Sequence, residues 1–531
     1  MRRLTPTVAT DSPATANLTA ARWTPLVALL AGVITVLAFA PFNIWPLQIL
    51  SLAWLLRQVA LNGINGWRPQ ALNGWLYGFG WAACGVHWLY ISMHDFGGMA
   101  GPMAALAVGL LAAVLGLYAA AVAGLACWLQ QRWQASQTTL LLLILPALWA
   151  LSEWLRGWLF TGFPWLTSGY AHNIGPLAGF APVLGVYGVA WIAALIAGCL
   201  ALLSLRNVAG STPRALPAVL ALLLAGTGLA LHTVNWTRAV GQPISVRLLQ
   251  GDIPQELKFS NEALLSSLKM YEDMISSAPT DLIATPETAV PLLPEQLPPD
   301  YLARLIRFTQ TSGSHLALGI PLSDGPDLYA NSMVGISPDP ASATRPYRYD
   351  KHHLVPFGEF VPFGFRWFVD LMRIPLGDMT RGQPLQAPWA IKQQWVMPNI
   401  CYEDLFGEEI AAQLGSAYFS GRPEATILLN MSNIAWFGDS IALPQHLQIS
   451  QMRALETGRP MLRATNTGTT AVITPKGQLL ASLQPYTRDQ LAVSVQGYQG
   501  QTPYILLGNK LMLALTLAAL ALAWLLARRR H

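Results

Sequence analysis

Long apolar segments separated by short polar loops fill the first 235 residues of the chain, and one more lies near its end. A helix of about 20 apolar residues satisfies all of its backbone polar groups within a hydrocarbon layer, so such segments predict membrane spans. The pattern predicts eight spanning helices. Their predicted boundaries are 24–41, 44–62, 72–93, 98–129, 138–155, 176–205, 215–234 and 506–526.

Between the seventh and eighth predicted spans, the pattern changes to short apolar or alternating segments bounded by Gly, Pro and Asp. Such segments predict strands, and TAVITPKGQLLASL predicts a hairpin. The strand segments are ISVRLLQGDIP, DLIATPET, HLALGIPL, NSMVGISP, QWVMPNICYE and ATILLNMSN. Helices are predicted over 261–276, 300–313, 406–414 and 444–457. About 250 residues that alternate strand and helix predict one α/β domain.

The composition supports a membrane protein. Of 531 residues, 53% are hydrophobic and only 11% are charged, and the mean hydropathy is +0.39, which is too apolar for an ordinary soluble enzyme. Arginines concentrate at both ends and in alternate loops, as they do in short cytoplasmic loops, so both termini are predicted to be cytoplasmic. The α/β domain then lies outside, which in a bacterium is the periplasmic side of the inner membrane.

This orientation predicts five regions. They are a cytoplasmic tail at 1–23, a membrane domain at 24–234, a periplasmic domain at 244–500, an eighth span at 506–526 and a basic cytoplasmic tail at 527–531. The polar start has no clear small-residue cleavage site, so the first span is predicted to stay as an anchor. No basic patch interleaved with aromatic residues indicates a nucleic-acid partner.

Cys401 is the only cysteine outside the long apolar segments; Cys84, Cys127 and Cys199 lie within predicted spans, where small packing residues are expected. A thiol acts as a nucleophile only as the thiolate, which nearby cations, bases and helix N-termini favour. Cys401 lies where a predicted strand meets a predicted helix, a position suited to a nucleophile. A small buried residue is the alternative interpretation of this cysteine by itself.

Two further residues supply groups that a thiol nucleophile needs. Glu287 ends the segment ATPET, and Lys351 lies in YRYDKHHLVPFGE. An acid that takes the thiol proton, a thiolate that attacks a carbonyl and an ammonium that holds the oxyanion together suit acyl transfer through a thioester. Separately, Glu287 is equally compatible with a surface loop acid, and Lys351 with a surface ion pair to Asp350.

A metal site receives little support from the sequence. His352 and His353 suggest a cysteine–histidine pair or a metal ligand pair, but adjacent residues on a strand point to opposite faces. No Cys-x-x-Cys or His-Glu-x-x-His spacing indicates zinc. We therefore expect neither a metal nor a cofactor.

The segments ATPET, YDKHHLVPFGE and NICYED resemble the Glu, Lys and Cys motifs of the nitrilase, or carbon-nitrogen hydrolase, superfamily over about 244–495. The resemblance implies a four-layer α-β-β-α sandwich. With seven spans before it and one after, the whole chain resembles the bacterial apolipoprotein N-acyltransferase family, a membrane-embedded branch of that superfamily. The segments QGDIPQELKF, NMSNIAWFGDS and QHLQISQMRALETGRPMLRATNTGTTAVITPKG carry this longer resemblance.

The resemblance implies a role for each matching residue. Glu287 is implied as the general base, Lys351 as the oxyanion stabiliser and Cys401 as the acylated nucleophile. The implied supporting residues are Glu359, Tyr402 and Glu403, with the Tyr402 amide as a second oxyanion donor. The implied substrate-lining residues are Asn331, Asn433, Trp436 and Phe259, the last standing where the family is expected to carry tryptophan.

The implied reaction is ping-pong acyl transfer from a glycerophospholipid to the α-amine of an S-diacylglyceryl cysteine at an apolipoprotein N-terminus. A membrane-tethered amidase or nitrilase is an alternative that would release the acyl group to water. A transporter with an accessory outer domain and an inactive lipid-binding relative are further alternatives. Transporters usually place ionisable residues within their spans, and almost none occur here.

The segment GWLFTGFPWLTSGY, 157–170, follows the fifth predicted span on the outer side and is amphiphilic and interrupted by Gly and Pro. We expect it to lie in the outer interface beneath the α/β domain and to hold lipid acyl chains. Phe160, Phe163 and Trp165 are the apolar residues that we expect to contact those chains.

Overall fold

The computed structural model describes residues 13–63, 66–205, 215–255, 261–326, 328–366 and 378–529. Long helices form the beginning and the end of the described chain, and a region of strands and helices lies between them. The helices before the strands are α1 Pro13–Thr35, α2 Pro46–Asn62, α3 Trp67–Gly85, α4 Gly101–Trp133, α5 Leu145–Arg156, α6 Ala181–Ser204 and α7 Ala215–Thr233.

Several helices could span a membrane. Judged by length and composition, the described residues contain five that are long and apolar enough. These are Gly101–Trp133, Gln137–Arg156, Ala178–Ser204, Ala215–Thr233 and Lys510–Arg528, in agreement with the predicted spans four to eight. Helices also form at the first three predicted spans, but they are shorter or less apolar.

The third predicted span shows why those helices differ. The prediction of one helix over 72–93 is wrong, because α3 begins at Trp67 and ends at Gly85. A short helix, Leu89–Ile91, and a π-helical turn, Ser92–Phe96, follow it. The first turns of α3 carry Arg68, Gln70 and Asn73, which lower its hydropathy although Gln70 and Asn73 are buried against other helices.

Two six-stranded sheets and a two-stranded sheet form the α/β region. The strands are β1 Arg238–Ala239, β2 Ile244–Gln250, β3 Leu282–Ala284, β4 His315–Gly325, β5 Leu328–Ile336, β6 Tyr347–Asp350, β7 Trp389–Ile391, β8 Gln394–Ile400, β9 Ile427–Ser432, β10 Met461–Thr465, β11 Ala471–Ile473, β12 Leu479–Ser482, β13 Asp489–Val495 and β14 Tyr498–Gln499. One six-stranded sheet has the order β13-β2-β3-β4-β5-β6 and the other β12-β11-β10-β9-β8-β7, while β1 pairs with β14. The six predicted strands and the hairpin are confirmed, whereas β1, β6, β7, β10, β13 and β14 are not predicted by the sequence.

Further helices lie within and after these sheets. They are α8 Asn261–Ser276, α9 Tyr301–Ser312, α10 Gly407–Ser420, α11 Ala442–Thr457, α12 Pro503–Leu507 and α13 Lys510–Arg528. The helix predicted over 406–414 extends to Ser420, where Gly421 adopts the left-handed conformation that ends it. Gly508 has a φ of +53° and separates α12 from α13, so the last long helix begins after the predicted residue 506.

Three apolar cores show what covers each sheet. The first joins the two large sheets, with Val246 of β2 and Ile427 of β9 among its members. The second packs Leu249 of β2 against α8 and α9. The third packs Leu428 of β9 against α10 and α11. Because successive side chains of a strand point to opposite faces, adjacent residues such as Leu428 and Leu429 belong to different cores.

A break in α6 joins the helical region to the α/β region. Gly185 has a φ of +67°, which a residue with a side chain rarely adopts, and a Cβ there would meet the Tyr504 ring at 2.2 Å. The break leaves the Val186 N–H directed at α11, where Glu456 Oε1 accepts its hydrogen bond at 2.7 Å. Glu456 also pairs with Arg453 at 2.9 Å, and both side chains are fully buried. This contact fixes α11 on the membrane helices.

Candidate active site

Glu287 lies just after β3 with its carboxylate almost fully buried. Its Oε1 accepts hydrogen bonds from Asn331 Nδ2 at 2.8 Å and from Lys351 Nζ at 3.1 Å. Its Oε2 accepts one from the Asn433 backbone N–H at 2.8 Å. A buried carboxylate is stable only with such partners, so the surface-loop interpretation of Glu287 is wrong.

Lys351 lies at the end of β6 and is 1% exposed. Its Nζ lies 2.9 Å from Glu359 Oε1 and 3.1 Å from Glu287 Oε1. Burial by itself lowers the pKa of an ammonium, but these two carboxylates outweigh it and raise the pKa of Lys351 above its ordinary value. The alternative interpretation of Lys351, a surface ion pair with Asp350, is wrong, because Lys351 is buried and Asp350 pairs with Arg348.

Glu359 completes this group. Its Oε1 accepts from Asn331 Nδ2 at 2.8 Å as well as from Lys351, and its Oε2 accepts from the Val355 N–H at 2.8 Å. The Asn331 amide therefore donates to both carboxylates and holds them on the same ammonium. One cation and two carboxylates form a buried cluster whose side chains come from two separate segments of the chain, one with Glu287 and one with Lys351 and Glu359.

Cys401 follows β8 directly and begins a 3₁₀ turn, Cys401–Leu405, that leads into α10. Its φ is +54°, an uncommon conformation for a residue with a side chain, and one that occurs often at functional sites. Asn430 Nδ2 donates to its carbonyl at 3.2 Å. Burial and the negative charge of Glu287 raise the pKa of the Cys401 thiol to about 12, while Lys351 and a hydrogen bond from Ser432 act in the opposite direction. Cys401 thus lies within electrostatic reach of the buried cluster.

Glu403 connects the Cys401 turn to the Lys351 segment. Its Oε2 accepts from the Ile400 N–H at 2.6 Å and from the Tyr349 hydroxyl at 3.0 Å. Its Oε1 accepts from the His352 N–H at 2.7 Å and from the His353 N–H at 3.2 Å. Burial raises the pKa of Glu403, and the backbone donors counteract part of this shift. One carboxylate therefore holds the strand end before Cys401 and the residues that follow Lys351.

The two histidines differ from expectation in their location. They follow β6 instead of lying on a strand, because β6 ends at Asp350. His352 Nδ1 lies 2.8 Å from the Gly382 carbonyl, and His353 lies between Glu409 Oε1 and the Thr161 carbonyl at 2.8 and 3.0 Å. Within the described ranges, no three potential metal ligands of the His, Cys, Asp and Glu types form a group.

The segment 157–170 contacts the candidate site directly. The Tyr402 hydroxyl donates to the Gly162 carbonyl at 2.9 Å, beside the contact between His353 and Thr161. Trp165 is 3% exposed, donates to Gln445 Oε1 at 2.8 Å and stacks on His446. The expectation that Trp165 contacts lipid chains is therefore wrong. Phe160, in contrast, is 86% exposed.

The four expected lining residues have different outcomes. Asn331 and Asn433 join the buried cluster through the contacts above. Trp436 does not: it is 39% exposed on the α/β side, and its ring meets Phe96 edge to face, with the centroids 6.1 Å apart. Phe259 lies outside the described residues.

Sequence reasoning missed Asn466 and Gln255. Asn466 Nδ2 donates to Asn433 Oδ1 at 3.1 Å, and Asn433 Nδ2 donates to Gln255 Oε1 at 3.1 Å. These amides fix the loop whose Asn433 N–H contacts Glu287. The position of Asn466 directly after a strand-like segment, MLRAT, is the signal that could have indicated it.

Two family models match the chain. The model described as Apolipoprotein N-acyltransferase N-terminal domain matches residues 31–199, and the model described as Carbon-nitrogen hydrolase matches residues 245–504. The first match covers most of the helices that precede the strands. The second covers both large sheets and contains Glu287, Lys351 and Cys401.

Curated relatives match over nearly the whole chain. A protein of Ralstonia nicotianae named apolipoprotein N-acyltransferase is 50% identical over 510 residues, which is 96% of this chain and 94% of that protein. One of the same name from Nitrosomonas europaea is 42% identical over 498 residues, 92% and 95% of the two chains. Among solved structures, a mutant amidase of the nitrilase superfamily from Nesterenkonia AN1 is 18% identical. It covers 50% of this chain and 94% of that chain, with a TM-score of 0.37.

Proposed function

Because the chain belongs to the apolipoprotein N-acyltransferase family and is an N-acyltransferase with a carbon-nitrogen hydrolase domain, we propose that it acylates the N-terminal cysteine of apolipoproteins through a thioester. The acyl donor is a glycerophospholipid. The acceptor is the free α-amine of an S-diacylglyceryl cysteine. Transfer to this amine completes maturation of the lipoprotein.

The first half-reaction acylates Cys401. Glu287 takes the thiol proton as Cys401 Sγ attacks the ester carbonyl, and the new S–C bond gives a tetrahedral oxyanion. Lys351 has three N–H donors; two are directed at Glu287 and Glu359, and the third holds the oxyanion together with the Tyr402 backbone amide. The ester C–O bond then breaks, and the lysophospholipid leaves with the proton that Glu287 returns.

The second half-reaction transfers the acyl group. The neutral amine of the acceptor cysteine attacks the thioester carbonyl, and its proton passes to Glu287 as the N–C bond forms. The S–C bond breaks, the Cys401 thiolate recovers the proton, and the amide product leaves. One acid/base group thus serves both halves, in opposite directions.

The observation that carries this proposal is the buried cluster of Glu287, Lys351 and Glu359 beside Cys401. A resting thiol with a pKa of about 12 is protonated at neutral pH, so it needs a base during the attack. Glu287 is the carboxylate whose charge acts most strongly on that thiol. The hydrogen bonds that Asn331 and Asn433 donate to Glu287 hold its carboxylate in place for this role.

The proposed architecture gives both lipid substrates access. We propose eight membrane-spanning helices in the bacterial inner membrane, with both termini cytoplasmic and the α/β region on the periplasmic side as a four-layer α-β-β-α sandwich. The apolar helices and the packing of both sheets on each other and on helices support this arrangement. Both substrates carry acyl chains yet react at headgroup level, which explains why the nucleophile of a membrane protein lies in its α/β region instead of in its apolar helices.

Intact mass spectrometry tests the thioester. Purified protein incubated with phosphatidylethanolamine and no acceptor should gain the mass of one acyl group and release lysophospholipid. The adduct should disappear on addition of a diacylglyceryl lipopeptide and should not form in Cys401→Ala. Active protein without any adduct would overturn the mechanism, and release of free fatty acid in place of the amide would indicate the amidase alternative.

A further inference from the structure

Helix α11 packs one face against the turn that begins at Cys401. Ser450 Oγ donates a hydrogen bond to Asp404 Oδ2 in this turn, and Arg453 Nη1 donates to the carbonyl of the last residue of the turn at 3.2 Å. Residues three and four apart on a helix lie on the same face. His446 comes four residues before Ser450 and therefore faces the start of the same turn. Its side chain is fully buried there.

The contacts of His446 determine which ring nitrogen carries the proton. Burial and the positive charge of Arg463 lower the pKa of His446 well below its ordinary value, so the ring is neutral. Arg463 Nη2 lies 3.1 Å from Nδ1 of the ring, and because a guanidinium can only donate, Nδ1 is the acceptor. The single ring proton is therefore on Nε2. Asp404 pairs with Arg463 at 3.2 Å and holds the guanidinium in this place.

The Nε2–H of His446 is a buried donor beside the Cys401 backbone. Within the described chain Nε2 makes no hydrogen bond of good geometry. The Cys401 backbone nevertheless acts on the ring by hydrogen bonding, in the direction that raises the pKa of His446. An acceptor has this effect on a histidine, so the group concerned is the Cys401 carbonyl. Hydrogen bonds at active sites are often poorly aligned before substrate binds and shorten in the complex.

Asn430 holds the same carbonyl from the neighbouring strand. Its Nδ2 donates to the Cys401 carbonyl at 3.2 Å and to Asn399 Oδ1 at 2.7 Å. Asn399 on β8 is the register partner of Asn430 on β9, and both side chains are buried. The two protons of the Asn430 amide therefore each have an acceptor, which fixes the direction of the donor to Cys401.

The Cys401 carbonyl and the Tyr402 N–H belong to one rigid peptide unit. A trans peptide is planar, and its C=O and N–H point in opposite directions. Donors that hold the Cys401 carbonyl on one side therefore fix the direction of the Tyr402 N–H on the other, and they polarise the unit so that this N–H becomes a stronger donor. The φ of +54° at Cys401 costs about 1 to 3 kcal/mol and persists only where surrounding contacts hold it.

We propose that Asn430 and His446 are positioning residues that direct the Tyr402 N–H at the oxyanion by holding the Cys401 carbonyl from behind. Arg463 acts one step further away, because it keeps the His446 proton on Nε2. Neither Asn430 nor His446 contacts the substrate. This inference rests on the thioester mechanism proposed above and identifies the residues that orient its second oxyanion donor.

Two rates measured on Cys401 in the full-length protein distinguish this role from a purely structural one. Acylation by phosphatidylethanolamine, followed by intact mass in a single turnover at saturating lipid, passes through the oxyanion, whereas alkylation by iodoacetamide does not. His446→Phe keeps a ring against Trp165 but has no donor. We expect acylation to slow about tenfold, less than the loss of about 100- to 1000-fold that removal of a direct oxyanion donor causes. The alkylation rate should not change.

Further variants give the rescue and the control. His446→Gln restores an N–H donor and should recover part of the acylation rate. Asn430→Ala removes the other donor and should show the same slow acylation with unchanged alkylation, which keeps the test valid if His446→Phe does not fold. His315 is a buried histidine on β4 whose ring contacts Asp281 and Trp389, so His315→Phe should leave both rates unchanged.

The possible results have different consequences. Equal slowing of acylation and alkylation would overturn the positioning role, because the variants would then disturb the thiol itself. Unchanged acylation in folded His446→Phe and Asn430→Ala would overturn it as well. A parent protein that phosphatidylethanolamine does not acylate would instead contradict the proposed function, and the same comparison with p-nitrophenyl butyrate, an activated ester that reacts through the same oxyanion, would still test the positioning role. Failure of both esters to acylate the parent would overturn both proposals.

Discussion

Lys351 and Glu359 form a buried ion pair, with 2.9 Å between Nζ and Oε1, on an ammonium that Glu287 shares from 3.1 Å. One cation therefore balances two carboxylates, and Asn331 donates a hydrogen bond to each of them. The cluster retains one net negative charge in a site with little solvent. Its charge balance controls both the stability of the α/β region and the ionisation of Cys401.

Removal of the ammonium should destabilise the protein. Lys351→Met leaves two buried carboxylates unneutralised, and loss of one member of a buried ion pair typically costs about 3 to 5 kcal/mol. We expect a lower midpoint of thermal unfolding in detergent and partial recovery in Lys351→Met/Glu359→Gln, which removes one of the two charges. Lys269 pairs with Asp273 on the exposed face of α8, so Lys269→Met should leave the midpoint unchanged. Equal effects of the two lysine substitutions would contradict the buried cluster.

The rate of Cys401 alkylation should rise with pH. Because the thiol pKa is raised to about 12, the thiolate fraction increases about tenfold per pH unit between pH 7 and 9. The Glu287 charge disfavours the thiolate, so Glu287→Gln should lower the thiol pKa and speed alkylation at a given pH. Lys351→Met should act in the opposite direction. Iodoacetamide labelling of the Cys401 peptide, followed by mass spectrometry, measures the profile, and a plateau below pH 8 would argue against a protonated resting thiol.

The Tyr402 hydroxyl should help to position the turn that holds Cys401, since it donates a hydrogen bond to the Gly162 carbonyl at 2.9 Å. Tyr402→Phe removes this bond between the nucleophile turn and the segment 157–170. We expect a loss of about 1 kcal/mol in stability and a decrease of about tenfold in the acylation rate, because the thiol is less well oriented. Tyr329 on β5 is 41% exposed and serves as control, so Tyr329→Phe should leave both quantities unchanged. A Tyr402→Phe protein with an unaltered single-turnover rate would exclude the positioning role.

The aromatic residues of the segment 157–170 should separate into two classes. Phe160 is 86% exposed, so Phe160→Ser should leave the unfolding midpoint unchanged and raise the KM for phospholipid. Trp165 is buried against Gln445 and His446. Trp165→Ser should therefore lower the unfolding midpoint, because the cavity it leaves reduces the free energy of unfolding by about 3 to 5 kcal/mol. Phe163 is partly buried and should show both effects. If Phe160→Ser had a wild-type KM, the segment would not contact lipid through that side chain.

Local sequence patterns predicted most elements of the fold. Predicted helices at 261–276 and 444–457 and the six predicted strands form close to their expected bounds, because apolar periodicity reports which face of an element is buried. The strands that the sequence did not predict are mostly edge strands of the sheets, such as β6, β7 and β13, or segments such as MLRAT that carry a charge. Arg463 is buried within β10 by its contact with Asp404, a pairing that no local pattern reveals.

The sequence by itself determined the five longest apolar helices and the three motifs that contain Glu287, Lys351 and Cys401, because residue type and spacing are local properties. The tertiary structure decided that Glu287 and Glu359 converge on the Lys351 ammonium and that Asn331 donates to both carboxylates. It also decided that Gly162, 240 residues before Tyr402, accepts the Tyr402 hydrogen bond. It also decided that Trp165 is buried, whereas Phe160 is exposed. The reason is physical: side-chain direction and long-range contact depend on how sheets, helices and loops pack, and the distance along the chain does not encode them.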